Sequence, residues 1–304
     1  MIDRRLLAAV PESRKYIAAN VALQWLALAA NILLVTAVCR LLAALAGGEA
    51  LPEGGRLLAA ALVALGVRFG CAVGATRMSY LSSKTVKMRL RTLLYRKLLE
   101  LGTAYRESVQ TSAVVQVAVE GVDQLEIYFG QYLPQFFYAM LAPLTLFAVL
   151  APIDLPSAAV LLVCVPLIPV SIAAVQTWAK KLLGRYWGQY TALGDTFLEN
   201  LQGLTTLKIY EADGERHRQM NRQAEDFRKI TMRGLTMQLN SITVMDLIAY
   251  GGAAGGMVLA VSRLAAGAVS LQGCLMILLL AADFFLPMRL LGSFFHVAMN
   301  GMAA

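Results

Sequence analysis

Residues 127–153 read IYFGQYLPQFFYAMLAPLTLFAVLAPI, twenty-seven positions without one charged side chain. At about 1.5 Å per residue, a helix of that length outspans the roughly 30 Å hydrocarbon core of a bilayer. Residues 16–39, 155–179 and 264–282 are also charge-free, and two further spans carry one charge each, 57–76 with Arg68 and 234–262 with Asp246. The pattern predicts an all-α polytopic membrane protein with six long crossings. Composition agrees: 58% of residues are apolar, 15% are charged, and the mean hydropathy is +0.62. A soluble domain of this size needs a far more polar shell.

Working outward from the spans, charge sets the topology. Residues 77–126 hold eight bases and 180–233 hold ten, whereas 47–55 carry Glu49 and Glu53 with no base, and 151–157 carry only Asp154. Residues 266–270 are uncharged. Positive charge is retained on the cytoplasmic side, so both long segments and both termini are expected there. The net charge of +8 then reflects membrane orientation, with nucleic acid excluded as a partner. The first apolar run follows Arg4, Arg5, Arg14 and Lys15, is long, and lacks a small-residue cleavage site, unlike a cleavable leader. Residues 1–16, with Ile2, Leu6, Leu7 and Val10 before Pro11, are expected to form an interfacial elbow, with a disordered leader as the alternative, and 17–304 the six-helix domain.

The two basic segments have the composition of helices. Residues 57–101 and 171–210 lack proline, and 89–100 is amphipathic. A fourth crossing continued unbroken over 157–207 would measure about 75 Å, more than twice the bilayer core, although Pro166 and Pro169 interrupt its apolar part. Both extensions are expected to turn in short helix-weakening stretches, at 101–107 and at 210–215, where Asp213-Gly214 is a turn signal. Return helices are expected over 109–132 and from Arg216 onward. A bundle that outgrows the membrane on one side suits a machine pushed from the cytoplasm.

No residues for catalysis are found. Gly-Lys does not occur, which removes the phosphate-binding P-loop, and neither HExxH nor GxSxG is present. Cys39, Cys71, Cys164 and Cys274 lie in spans without a CxxC spacing, as small core side chains do. Gly66, Gly70 and Gly74, and the cluster 251–256, mark close helix packing within the bundle or against a second subunit, with a bend at Gly251 as the alternative.

Charges inside spans demand a reason. Arg68, in mid-span, is the first cavity-lining candidate, with Asp246 as its partner or placed at the cytoplasmic end of the fifth crossing. Asp283 and Arg289 flank Pro287, which should kink the sixth helix, and are expected either to bridge internally or to face the cavity. Arg40 either lines the cavity or snorkels to the headgroups. His296 completes the cavity set. It stands three residues before Met299, a spacing compatible with haem ligation, although an ordinary pore-facing or partner-facing histidine is the plainer reading.

Residues 199–215, ENLQGLTTLKIYEADGE, and 284–304, FFLPMRLLGSFFHVAMNGMAA, together with the six crossings and long extensions, resemble the transmembrane domain of ABC exporters. These two stretches are most similar to the CydD-like branch, tied to cytochrome bd assembly and described as exporting thiols such as cysteine and glutathione, with a haem role also proposed. The resemblance implies a bacterial cytoplasmic membrane and a second half-transporter, so a heterodimer. It also implies ATP and Mg2+ in a nucleotide-binding ATPase outside these residues, so that the chain hydrolyses ATP only as part of the complete transporter. It implies a first coupling helix at Thr103, Ala104, Tyr105, Arg106 and Glu107. The second would be Lys208, Ile209, Tyr210, Glu211, Ala212, Asp213, Gly214 and Glu215. The end at Ala304, inside a helical pattern, is expected of a fragment.

The alternative from another class is a stand-alone six-helix carrier driven by an ion gradient. Such a carrier should show an inverted repeat and broken mid-membrane helices. An ABC importer permease is a third reading, and the long proline-free extensions argue against it.

Overall fold

The computed structural model describes residues 10–47, 54–102 and 117–303, and every element among them is helical. Helix α1 covers Ser13–Gly47 and α2 Gly54–Leu101. A π-helical turn, Val117–Gly121, leads into α3, Val122–Ile127, and a second, Tyr128–Tyr132, into α4, Leu133–Leu150. Then follow α5 (Leu155–Cys164), α6 (Leu167–Gln202), α7 (Leu204–Ile209), α8 (Asp213–Ala265) and α9 (Leu271–Ala303).

Five helical stretches are long and apolar enough to cross a membrane: Ser13–Gly47, Gly54–Leu101, Val117–Leu150, Asp213–Ala265 and Leu271–Phe294. The fourth expected crossing is a shorter apolar stretch, Leu155–Ser171. Residues 157–207 are not an unbroken rod, for the chain breaks where Pro166 interrupts the apolar part. Pro166 has no N–H for the carbonyl four residues back, and the chain closes a tighter turn there, Val165 N–H donating to the Leu162 carbonyl at 3.2 Å. A second break falls at Gly203, between α6 and α7.

The chain divides into two compact units, Met1–Ile168 with Asp246–Ala304, and Pro169–Met245. In the first, α1 and α2 run antiparallel. Asn20 Nδ2 donates to the Ala75 carbonyl at 2.9 Å, and Gln24 Nε2 to Asn20 Oδ1 at 2.6 Å. Beside them Leu23 fills the space over Gly74, 3.1 Å from where a Cβ would stand. Lower on α2, hydroxyls serve the π-helical stretch, whose carbonyls are shifted from the α pattern. Ser79, Ser82 and Ser83 donate to the carbonyls of Gly130, Phe129 and Glu126 at 2.5, 3.3 and 3.1 Å. A side chain at Gly130 would collide with the Ser83 hydroxyl. Lys87 then bridges Asp123 at 2.9 Å and Glu126 at 2.6 Å.

The buried centre of this unit is aromatic and aliphatic: Tyr128, Phe129, Tyr132, Leu133, Leu146 and Phe284 are all shielded. Of the glycine faces, only part is used within the chain. A Cβ at Gly252 would lie 2.8 Å from Phe285 and 2.9 Å from Cys164, and one at Gly256 would run into Leu161, whereas Gly251, Gly255, Gly66 and Gly70 meet nothing within 4 Å. Helix α8 continues through the cluster without interruption.

The second unit is a helical hairpin of α6 and the first part of α8, closed by α7. Tyr186 and Tyr190 stand 5.2 and 5.8 Å from the Phe227 ring. Nearer the turn, Asn200 Nδ2 lies 3.7 Å from the Met220 sulfur, and Arg216 4.0 Å from Glu199. Among its described residues, Phe197, Leu201 and Leu204 are exposed.

Candidate functional site

Three helices of the first unit meet through one asparagine. Arg68 of α2 donates from Nη1 to Asn31 Oδ1 at 2.6 Å, and Asn31 of α1 donates from Nδ2 to Asp283 Oδ2 of α9, also at 2.6 Å. A carboxamide suits this post because it presents an acceptor to the cation and donors to the anion at once. Tyr138 of α4 lies within electrostatic reach of both charges. Arg68 is exposed and spends one of its five N–H donors on Asn31, so the guanidinium remains presented to whatever occupies the space beside α2.

Two further intramembrane charges, Asp246 and Arg289, pair with each other. Arg289 of α9 grips Asp246 of α8 through two bonds, Nε to Oδ1 and Nη2 to Oδ2, the latter 3.2 Å long. The guanidinium also lies over the Tyr250 ring, 5.8 Å from its centroid. Gln135 of α4 donates to the Pro287 carbonyl at 2.9 Å, just before Arg289.

Of the alternatives the sequence left open, neither direct pairing is formed. Arg68 does not meet Asp246, and Asp283 does not meet Arg289. The second failure is geometric: residues six apart on a helix are turned by about 240°, well outside the three- and four-residue spacings that bring side chains together. Arg40 is exposed on α1 and, among the described residues, is joined to neither pair. The side chain of His296, like that of Met299, is outside the described residues, so the spacing argument for haem acquires no geometry. No group of three or more His, Cys, Asp or Glu suited to a metal exists among the described residues.

Sequence reasoning missed Asn31 and Gln135. The signal was present, since an amide in a charge-free span is itself costly without a partner. It also missed a buried ion pair at the far end of the bundle. Asp154 caps α5, accepting from the Ser157 N–H at 3.2 Å and its hydroxyl at 2.5 Å. Arg263, near the end of α8, donates to the same carboxylate at 2.6 Å. Burial alone would raise the Asp154 pKa, but the Ser157 hydroxyl and Arg263 outweigh it and hold the carboxyl below its ordinary 3.8. Leu161 over Gly256 and Cys164 beside Gly252 extend this contact between α5 and α8.

The second site is the turn at residues 208–215. Helix α7 ends at Ile209, and Glu211 takes φ 53°, a left-handed conformation. The Glu211 N–H donates to the Lys208 carbonyl at 3.3 Å and the Ala212 N–H to the Leu207 carbonyl at 3.0 Å. This is a Schellman ending, with glutamate where glycine is usual. Asp213 and Gly214, expected to be the turn, instead form the first turn of α8. The Lys208 ammonium is bonded to the Asp213 carboxylate, which lowers the Asp213 pKa from 3.8. Ile209 and Tyr210 are left 72% and 77% exposed at this turn. The other predicted turn begins at Gly102, φ +56°, which ends α2. Thr103 to Glu107 lie outside the described residues.

Long apolar helices with charges bonded between them define a polytopic membrane protein. The chain matches the ABC transporter transmembrane region over residues 15–288 and belongs to that family. It is 52% identical over 243 residues to an uncharacterized ABC transporter ATP-binding protein of Haemophilus influenzae, covering 80% of this chain and 43% of that protein. It is 26% identical over 243 residues to the glutathione/L-cysteine transport system ATP-binding/permease protein CydC of Bacillus subtilis, with the same coverage. It is also 26% identical over 237 residues to CydD of that transport system in Escherichia coli, covering 75% and 40%. The chain therefore spans about two-fifths of the length of these relatives. Family membership sets aside the ion-gradient carrier.

Proposed function

We propose that this chain is the membrane-spanning part of an ATP-driven exporter of a small anionic or zwitterionic solute, a cysteine- or glutathione-type thiol. It would work in a bacterial cytoplasmic membrane beside a second half-transporter, with both termini in the cytoplasm. The observation that carries the proposal is the turn that keeps Ile209 and Tyr210 in water, ion-paired by Lys208 and Asp213 across its base. An apolar knob on a rigid helical corner is what a docking ATPase needs in order to push. Residues 103–107 would be the first such contact and 208–215 the second, with ATP and Mg2+ held on the ATPase. The relatives named as ATP-binding proteins support this division of labour.

The substrate side of the proposal rests on Arg68. Its exposed guanidinium offers a planar fork to a carboxylate, while Asn31 and Asp283 hold it in place and leave acidic character for an ammonium group. Asp246 and Arg289 satisfy each other and would act as a helix tie that opens or holds as α8 and α9 move. Uptake of labelled glutathione into inside-out vesicles by the complete transporter tests it. Arg68→Gln should raise KM at least tenfold while ATP hydrolysis without substrate persists. Unchanged transport in that variant would remove Arg68 from the site.

A further inference from the structure

A groove of about 560 Å3 lies between the first half of α1 and the start of α4, separate from the charged chain just described, for neither Arg68, Asn31 nor Asp283 lines it. Its walls are Ile17 and Val21 on one side and Leu133, Phe137 and Leu141 on the other. Trp25 closes one end, 46% exposed, its indole N–H pinned to Thr145 Oγ1 at 3.0 Å. Arg14 stands at the other end, followed at once by an exposed Lys15.

We infer that this groove binds one acyl chain of an anionic phospholipid, whose headgroup rests on Arg14 and Lys15. Length is the first argument. Arg14 to Trp25 is about 16 Å of helix rise, and one leaflet of hydrocarbon is about 15 Å deep. Register is the second: the two bases directly precede Tyr16, where the charge-free run of α1 begins, so they stand at the membrane boundary and Trp25 near mid-bilayer. Charge is the third. A neutral lipid would satisfy the apolar walls equally well, but only an anionic headgroup gains from the bases, each worth roughly a fivefold change in affinity beside an anionic lipid surface. Under the topology proposed above, the lipid belongs to the cytoplasmic leaflet. The lipid contact does not depend on what the transporter carries.

The test uses the complete transporter in phosphatidylcholine vesicles containing a small fraction of lipid brominated at mid-chain. The difference in fluorescence between the parent and Trp25→Phe isolates the indole in the groove. Brominated phosphatidylglycerol should quench that signal at roughly twentyfold lower mole fraction than brominated phosphatidylcholine. Arg14→Gln with Lys15→Gln should erase the difference, while replacing two bases on α2, Arg89 and Arg96, should leave it. Ala18→Leu, which fills the groove, should weaken quenching by both lipids. If the double variant does not fold, Lys15→Gln alone should supply about a fivefold loss of the preference. Equal quenching by the two lipids in the parent would overturn the inference. So would a preference that survives removal of the bases.

Discussion

Two turns of this chain are each tied by one acid and one base, and they serve different purposes. At Asp154 the carboxylate is 2% exposed, caps α5 and receives Arg263 from a helix more than a hundred residues away in sequence. At Asp213 the carboxylate is 40% exposed and meets Lys208, only five residues back. Burial separates their energetics. A buried carboxylate stripped of its cation keeps its desolvation cost, whereas an exposed one returns to water. The first turn holds helices together. The second shapes a corner whose apolar tip stays available.

The largest expected effect is at the buried turn. Arg263→Ala or Asp154→Ala should each lower stability by about 2–4 kcal/mol, read as a melting shift of the detergent-solubilised transporter. The double variant should cost clearly less than the sum of the two, because one interaction is counted twice. Additive losses would mean that the two residues act separately.

An acid titration sharpens the same comparison. The folded-state pKa of Asp154 lies below its ordinary 3.8, so its contribution is complete above that value and is lost as pH falls through the folded value. The parent should therefore lose stability below about pH 4, and Asp154→Asn should flatten that part of the curve. An unchanged slope in Asp154→Asn would assign the acid sensitivity elsewhere.

At the exposed turn the expected changes are smaller. Glu211→Gly should stabilise by about 1 kcal/mol, since glycine adopts the left-handed conformation without the Cβ penalty. Asp213→Asn should leave the melting temperature where it is, and a large fall would show that the corner is structurally coupled after all.

Much of this architecture was legible in the sequence. Charge-free lengths locate the spans, and the proline-free basic segments announce the long helices α2 and α6. The fourth crossing was legible in part: the interruption at Pro166, where a missing N–H ends α5, is visible in the sequence, whereas the break at Gly203, which separates α7, carries no proline. Within the site, the charged residues could be named but not matched. Asp283 and Arg289 are close in sequence yet on different faces of α9, and Arg68 reaches Asp283 only through Asn31. Pairings of that kind depend on how α1, α2 and α9 are rotated, which no local pattern records. The lone amides of α1 were the available clue. The Glu211 turn was hidden for another reason, since Asp213-Gly214 is the stronger turn signal and glutamate rarely marks a left-handed position.

The proposed mechanism requires a push at Ile209 and Tyr210 to reach the Arg68 site. The direct measurement places a single cysteine at residue 68 in the complete transporter, with Cys39, Cys71, Cys164 and Cys274 replaced, and labels it with a membrane-impermeant thiol reagent. Labelling should come from the cytoplasmic side in the resting state and from the opposite side when ATP and vanadate trap the closed ATPase. In Ile209→Asp with Tyr210→Asp, ATP should still be hydrolysed, but the side of labelling should no longer change. A switch of side that survives that double substitution would contradict the account.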